Sequence, residues 1–544
     1  MASKNPHSDN SKLIQRIERV EGEILLLRDE LSCAQRELDR KDQIIAGLQK
    51  MLFGKKSERY NPNQYQLEFG ADVMGKLEPE LSGEQQDEKI DSSKTKPKQT
   101  RRKKSDLFPK NIAVKVVARI KPDEVNADPE KYIKIGEEYH DELEVKKSEL
   151  YYQRTVLEKF KEKGQRDKAP ISPPAPHPSI PGTMCGPELM AMILVDKYCD
   201  HLPQYRQADR FLRRHGVVLC RQTINKWTHY SARYLEVIGE AIKKEIAEAS
   251  VLQVDETPMY YLDPGAGERQ RGYLWYYRNL ESGAVYCDWQ LGRGHECLLD
   301  MLGYDEISGT ISFSGTIQCD GYSAYQALER RFGNINLAGC LAHIRRKFIE
   351  SFEQAPEVVG PILQIIQELY TYERGLRNAN APPPCRELVR GGYSRPLVKE
   401  LKEKILDERI KHLPQSKLGE ALNYALNQWE EFELYLEDGR LEIDNNLIEN
   451  AIRPAKLGLK NYLFFGSAEA GKSSALMYTL MANCKALGID PERYLVEAIK
   501  AMTADTTVEQ AAELTPAKLA AKIRSQQPVP LALEAENATK DKAA

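Results

Sequence analysis

No stretch of this 544-residue chain reaches the roughly 18 consecutive apolar residues of a membrane helix, so no membrane span is expected. The opening MASKNPHSDNSKL lacks the apolar centre of a secretory leader, and a cytoplasmic protein is the expectation. The ten cysteines include no C-x-x-C pair, which excludes a disulfide scaffold and a paired-cysteine zinc ribbon. Net charge is also scarce: 78 Lys and Arg against 81 Asp and Glu leave −3, so general polyanion binding by bulk charge is excluded. The cations are instead clustered, at Lys55–Lys56–Arg59, Arg101–Lys104, Arg210–Arg214 and Arg345–Lys347. Such clusters suit local contacts with a polyanion, although each also reads as a solvated face.

Near the N-terminus, Ile17, Ile24, Leu31, Leu38, Ile45 and Leu52 recur every seven residues, with Val20, Leu27, Ala34, Lys41 and Leu48 between them. A seam this narrow cannot be buried by its own helix. It predicts a coiled coil over 12–53 that pairs two copies of the chain, or a helical hairpin within one copy. Residues 54–109 are polar and end in the basic run SSKTKPKQTRRKKSD, a flexible basic linker that could touch DNA phosphates. Alternating runs such as NIAVKVVARI and SELYYQRTVLEKF predict a small β-containing module over 110–170, followed by the proline-rich connector PISPPAPHPSIPG.

Residues 182–248 turn helical. A helix, a break at Gly216 and a second helix from Arg221 are compatible with a helix-turn-helix that presents Arg221, Gln222, Asn225 and Lys226 to DNA, or with a purely structural helix pair. Three strand-like runs follow, then a helix over 296–302 and two strand–helix passages. That order predicts an α/β, ribonuclease H-like catalytic core over 249–490 with helices on both faces of its sheet. A helical insertion occupies about 357–436, and 491–544 reads as C-terminal helices and a disordered tail.

Two of the apolar runs end on aspartates, VLQVDETP with Asp255 and GTIQCDGYSAY with Asp320. A third acid, Glu449, lies in LEIDNNLIENAIRPAKLGLKNYLFFGS, where Asp444 is the expected helix N-cap, Pro454 the expected end or kink, and Arg453, Lys456 and Lys460 follow the acid. Phosphodiester cleavage needs an activated oxygen, a stabilised leaving oxygen and compensation for charge on phosphorus. Two divalent ions held by carboxylates supply all three. Asp255, Asp320 and Glu449 are therefore the candidate catalytic and metal-binding acids. Glu256 is a weaker ligand candidate, because the next residue of a strand faces the opposite side. In GCLAHIRRKF, His343, Arg346 and Lys347 are candidate DNA contacts; a packed Cys340 and a hydrogen-bonded His343 are the structural alternative.

At this point the chain resembles bacterial DDE transposases of the insertion-sequence-66 type. The resemblance rests on LVDKYCDHLPQYRQADRFLRRHGVVLCRQTINKW, DETP, QCDGYSAY, GCLAHIRRKF and the long motif around Glu449. It implies the triad Asp255, Asp320 and Glu449, two Mg2+ ions for which Mn2+ can substitute, and double-stranded DNA (element ends and target) as partner. It also implies a nucleoid-associated homodimer and, in some systems, small accessory transposition proteins. Relatives commonly carry a zinc-ribbon-like module with paired cysteines; residues 110–184 here contain none, so no zinc is expected.

GSAEAGKS, Gly466 to Ser473, matches the pattern of a phosphate-binding loop. No later strand ending in an acid is visible to organise magnesium, so no ATP is expected. Two alternatives to the enzyme stand: a phosphate-loop ATPase that helps transposition, and a catalytically silent DNA-binding regulator descended from a transposase.

Overall fold

The computed structural model of the chain describes residues 149–151, 153–157, 177–263 and 265–526. The heptad segment, the basic linker, most of the 110–170 module and residues 527–544 lie outside them. Three helices open the described body: α1 (Pro187–Tyr198), α2 (Gln204–His215) and α3 (Arg221–Ala247). Gly216 closes α2 in the left-handed conformation, φ 67°, which only glycine adopts without cost.

The strands are β1 (Val251–Leu262), β2 (Arg269–Asn279), β3 (Val285–Gln290), the two-residue β4 (Tyr304–Asp305) and β5 (Thr310–Ile311), and β6 (Gly315–Gln318). Helix α4 (Ser323–Arg331), β7 (Ile335–Ala338) and α5 (Leu341–Ser351) follow. The main sheet has the order β3-β2-β1-β6-β7, antiparallel on the β3-β2-β1 side and parallel from β1 through β6 to β7. This is a mixed α/β architecture. The helix expected over 296–302 is a single 3-10 turn, His295–Leu298.

The insertion comprises α6 (Pro356–Asn378), α7 (Pro383–Val389), a π-turn (Arg390–Ser394), α8 (Arg395–Arg409), α9 (Lys417–Asn427) and α10 (Trp429–Glu433). The chain then returns through α11 (Asn446–Tyr462) and α12 (Ala468–Ala486) to α13 (Pro491–Ala501), α14 (Val508–Ala512) and α15 (Pro516–Gln526). Two apolar clusters hold these layers. One joins Leu252, Val254, Tyr276 and Ile317 of the sheet to α1, α3, α11 and α12. The other joins Val251 and Ala338 to α5, α6 and α8–α10.

Both sheet edges are covered, as exposed strand edges invite pairing with other chains. Asn483 and Thr479 of α12 bond the main chain of β3: Val285 N–H donates to Asn483 Oδ1 (3.1 Å) and Cys287 N–H to Thr479 Oγ1 (2.9 Å). Beyond β7, Gly339 N–H donates to the Glu431 carbonyl at 2.8 Å.

Candidate active site

Asp255 sits half-buried within β1, which runs on to Leu262 rather than ending at the acid. The antiparallel partner β2 is nearly as long and pairs to Arg269, so the ladder carries the strand past Asp255. Asp320 lies just past β6, and its Oδ1 accepts the Tyr322 N–H at 3.0 Å.

Glu449 occupies the first turn of α11. The N-cap is Asn445, not Asp444. Asp444 is wholly buried one residue earlier, where it accepts from the Asn446 main chain (3.0 Å) and side chain (2.7 Å). Pro454 does not end the helix. Ile448, Ile452, Ala455 and Gly458 form one continuous buried stripe, and that packing holds the helix through the proline.

Asp255 feels both of the other acids. Burial first, then the negative charges of Glu256, Asp320 and Glu449, pushes Asp255 well above the usual carboxylate range. Glu256 is already engaged: its carboxylate accepts from Arg293 at 2.6 Å and from the Tyr325 hydroxyl at 2.9 Å. Arg293 in turn lies over the Tyr322 ring, 3.9 Å from its centroid.

From α5, His343 Nε2 approaches Glu449 Oε1 to 3.8 Å and Arg346 to 3.9 Å. Lys347 pairs instead with Glu350 at 3.8 Å, so it is not among the groups gathered on Glu449. Glu449, Arg453, Lys456 and Lys460 fall on one helical face, a cationic stripe leading away from the acid. Arg221, Gln222, Asn225 and Lys226 are all exposed on the first two turns of α3.

Three carboxylates without a thiol among them are a donor set for a hard divalent cation, and their mutual repulsion is what such a cation relieves. At the foot of the same helix, Asn445 has both side-chain amide atoms buried without a partner, further polar capacity beside the acids. Among the described residues, no three His, Cys, Asp or Glu side chains have closed onto a single point.

Gly471 and Lys472, from the phosphate-loop pattern, have other roles. Ser467 caps α12, and Lys472 is exposed and paired with Glu469 at 3.7 Å. A Cβ on Gly471 would stand 2.4 Å from the Trp289 ring, so this glycine makes room for an indole. After Ser473 the described residues form helices only. Lys472→Ala should therefore leave stability within about 0.5 kcal/mol. Gly471→Ala should cost about 1–3 kcal/mol by overpacking, read as a lowered melting temperature. A nucleotide site would give the opposite pattern, with the lysine the sensitive residue for ATP hydrolysis.

The sequence reading missed the polar groups that fix these elements. Gln253 and Gln318 are wholly buried and joined side chain to side chain at 2.9 Å. Arg390 and Glu373, also wholly buried, pair within the insertion at 2.7 Å. Buried Gln within a strand was the available signal, because an amide there requires specific partners.

A family model described as "Transposase IS66 family" matches residues 182–473. A second, described as "Transposase C of IS166 homeodomain", matches residues 42–117, across the end of the heptad segment and the basic stretch. Uncharacterized protein y4jD of Sinorhizobium fredii is 30% identical over 401 residues, 70% of this chain and 75% of that protein. Uncharacterized protein y4qI of the same organism is 34% identical over 325 residues, 57% of this chain and 58% of that protein.

Proposed function

We propose, from the premise that this chain belongs to the IS66 transposase family, that it cuts and joins DNA at the ends of its element through Asp255, Asp320 and Glu449. What supports this reading is that burial, with the charges of Glu256, Asp320 and Glu449, raises Asp255, and that His343 and Arg346 approach Glu449 from a further element. The sheet order β3-β2-β1-β6-β7, with Asp255 on β1 and Asp320 just past the adjacent parallel strand β6, supports a ribonuclease H-like core.

The three carboxylates would hold two Mg2+ ions, with Mn2+ an acceptable substitute. When bound, such ions activate the attacking oxygen and stabilise the leaving one. The protein's own groups do the rest. Arg346 and His343 stand where they can bind a phosphate beside Glu449. The stripe Arg453–Lys456–Lys460 spans about 16 Å from Glu449, the length of about five nucleotides of one strand. It would align the DNA along α11 with the scissile bond at the acids. Lys347, turned to Glu350, would contribute at most to the outer field.

The exposed face of Arg221, Gln222, Asn225 and Lys226 would dock the element end, and the homeodomain-type match over 42–117 supports a second DNA-contacting region. A homodimer through the 12–53 seam would hold two ends together, with small accessory proteins as further partners. Among the described residues no helix is long and apolar enough to cross a membrane.

Replacing Arg221 and Lys226 with Ala should weaken end binding and reduce the slope of log affinity against log salt by about one per lost phosphate contact. Fluorescence anisotropy across a salt series measures both. The function itself is tested by incubating the full chain with Mg2+ and a duplex carrying the element end. Release of a 3′-hydroxyl end supports the enzyme; bound but intact DNA favours the silent regulator.

A further inference from the structure

We propose that Gln253 and Gln318 are positioning residues that set the spacing of the three acids, acting as a buried amide clamp between the elements that carry them. The proposal rests on the triad reading above.

Four hydrogen bonds make the clamp. Gln253 and Gln318 are register partners on the parallel strands β1 and β6, and neither is exposed to solvent. Gln253 Nε2 donates to Gln318 Oε1 and to the Asp444 carbonyl, each at 2.9 Å. Gln318 Nε2 donates to the Glu442 carbonyl at 2.6 Å and to the Gly339 carbonyl at 3.2 Å. Each Gln stands two residues before an acid, Asp255 or Asp320, so on β1 the amide and the acid share a face. Glu442 and Asp444 lie in the segment that enters α11 and Glu449. Gly339 lies two residues before α5, which carries His343 and Arg346.

Two side chains thus join all four elements of the site. An apolar pair of equal volume would fill the same space without the cost of burying amides. What the amides add is direction: each bond fixes one strand or segment relative to another. The far side of the 442–444 segment is fixed from the insertion, where Arg377 and Arg386 bond Glu442 at 2.6 and 3.0 Å. With its carbonyls held by the strands and its carboxylate by the insertion, the segment has one place to sit, and so has Glu449.

The test uses the full chain and Mn2+ as probe, titrated without DNA and followed by the electron paramagnetic resonance of the free ion. Joining rates in Mg2+ and in Mn2+, end binding and melting temperature are measured beside it. Gln253→Met and Gln318→Met remove the amides at similar volume, and Asp255→Asn is the control for the triad. The clamp predicts Mn2+ affinity and Mg2+-supported joining about ten- to a hundredfold lower in the Met variants, with end binding retained. It also predicts that joining recovers more in Mn2+ than in Mg2+, since Mg2+ demands near-ideal octahedral geometry. If Asp255→Asn loses Mn2+ binding while both Met variants keep wild-type affinity and rate, the clamp is wrong and the triad stands. If Asp255→Asn binds Mn2+ as the wild type does, the triad reading fails and the clamp with it. Losses that track melting temperature in both Met variants, with no difference between the two ions, overturn the positioning role.

Discussion

Asp255→Asn should abolish DNA strand joining, by about a thousandfold or more, and at the same time raise the melting temperature of the metal-free protein at neutral pH. Both effects have one cause. Burial and the charges of Glu256, Asp320 and Glu449 hold the Asp255 carboxyl well above its ordinary value, so the folded chain binds this proton more tightly than the unfolded chain does. The stabilisation this group contributes is therefore full below the unfolded carboxyl value, about 3.9, and is lost as the pH climbs through the raised folded value. At neutral pH the acid at this position therefore weighs against the fold, and Asn removes that cost. The melting difference between variant and wild type should shrink as the pH falls toward 4. Added Mn2+ should stabilise the wild type, by about 2.7 kcal/mol at a hundred times its dissociation constant, and leave Asp255→Asn unmoved. A variant that melts lower than the wild type across the pH range would show that Asp255 is held by attraction and that the acids are not in conflict.

The second large effect lies far from the acids in sequence. Arg390→Met should destabilise the chain by about 3–5 kcal/mol, the cost of breaking a buried ion pair from one side. Arg390 is wholly buried and uses its guanidinium fully. It donates to both Glu373 oxygens (2.7 and 2.8 Å) and to the carbonyls of Tyr435, Asp438 and Leu441 (2.8, 3.1 and 2.9 Å). Those carbonyls belong to the stretch leading into Glu442–Asn445 and α11. Losing the guanidinium takes that donor from the buried Tyr435 and Leu441 carbonyls, leaves the Asp438 carbonyl the Leu441 N–H at 3.1 Å, and leaves Glu373 the guanidinium of Arg386, at 3.2 Å. Removing both charges, as Glu373→Met with Arg390→Met, should recover part of the loss, because the stranded carboxylate goes with its partner. Denaturant midpoints of the two single variants and the double variant measure this. Equal losses in all three would mean that the carbonyls, and not the stranded charge, set the cost.

The insertion is thus more than a spacer between the second and third acids. Glu442, which burial alone would raise, is held low by Arg377 and Arg386, while burial pushes neighbouring Asp444 up to about 6. One segment carries a charge fixed from the insertion and carbonyls fixed from the sheet.

Much of this was legible in the sequence because its signals are local. The runs before Asp255 and Asp320 are short and largely buried, as central strands are, and the helix around Glu449 carries its cations at helical spacing. Helix–break–helix at Gly216 was equally plain, since a left-handed C-cap needs glycine. What stayed hidden depends on distance along the chain. The partners of Gln253 lie on Gln318 and Asp444, and those of Arg390 on Glu373 and the 435–441 stretch, and no periodicity reports such pairings. Pro454 misled for the opposite reason: its local preference is to break a helix, and the buried stripe of α11 outweighs it. Asp444 looked like a cap because its residue type favours one, but buried hydrogen bonding draws it inside and leaves Asn445 at the helix start. Within the phosphate-loop pattern, Ser467 caps α12 and Gly471 lies against the Trp289 ring, a long-range packing that the pattern does not report.

The central claim is that Glu449 completes a three-acid site for DNA strand transfer. The most direct measurement is single-turnover joining of a labelled element-end duplex in Mg2+ by wild type and Glu449→Gln, with end binding measured on the same samples. The account predicts that the wild type joins, and that the variant binds the end equally well and does not join. Equal joining by both proteins would remove Glu449 from the chemistry and contradict the account.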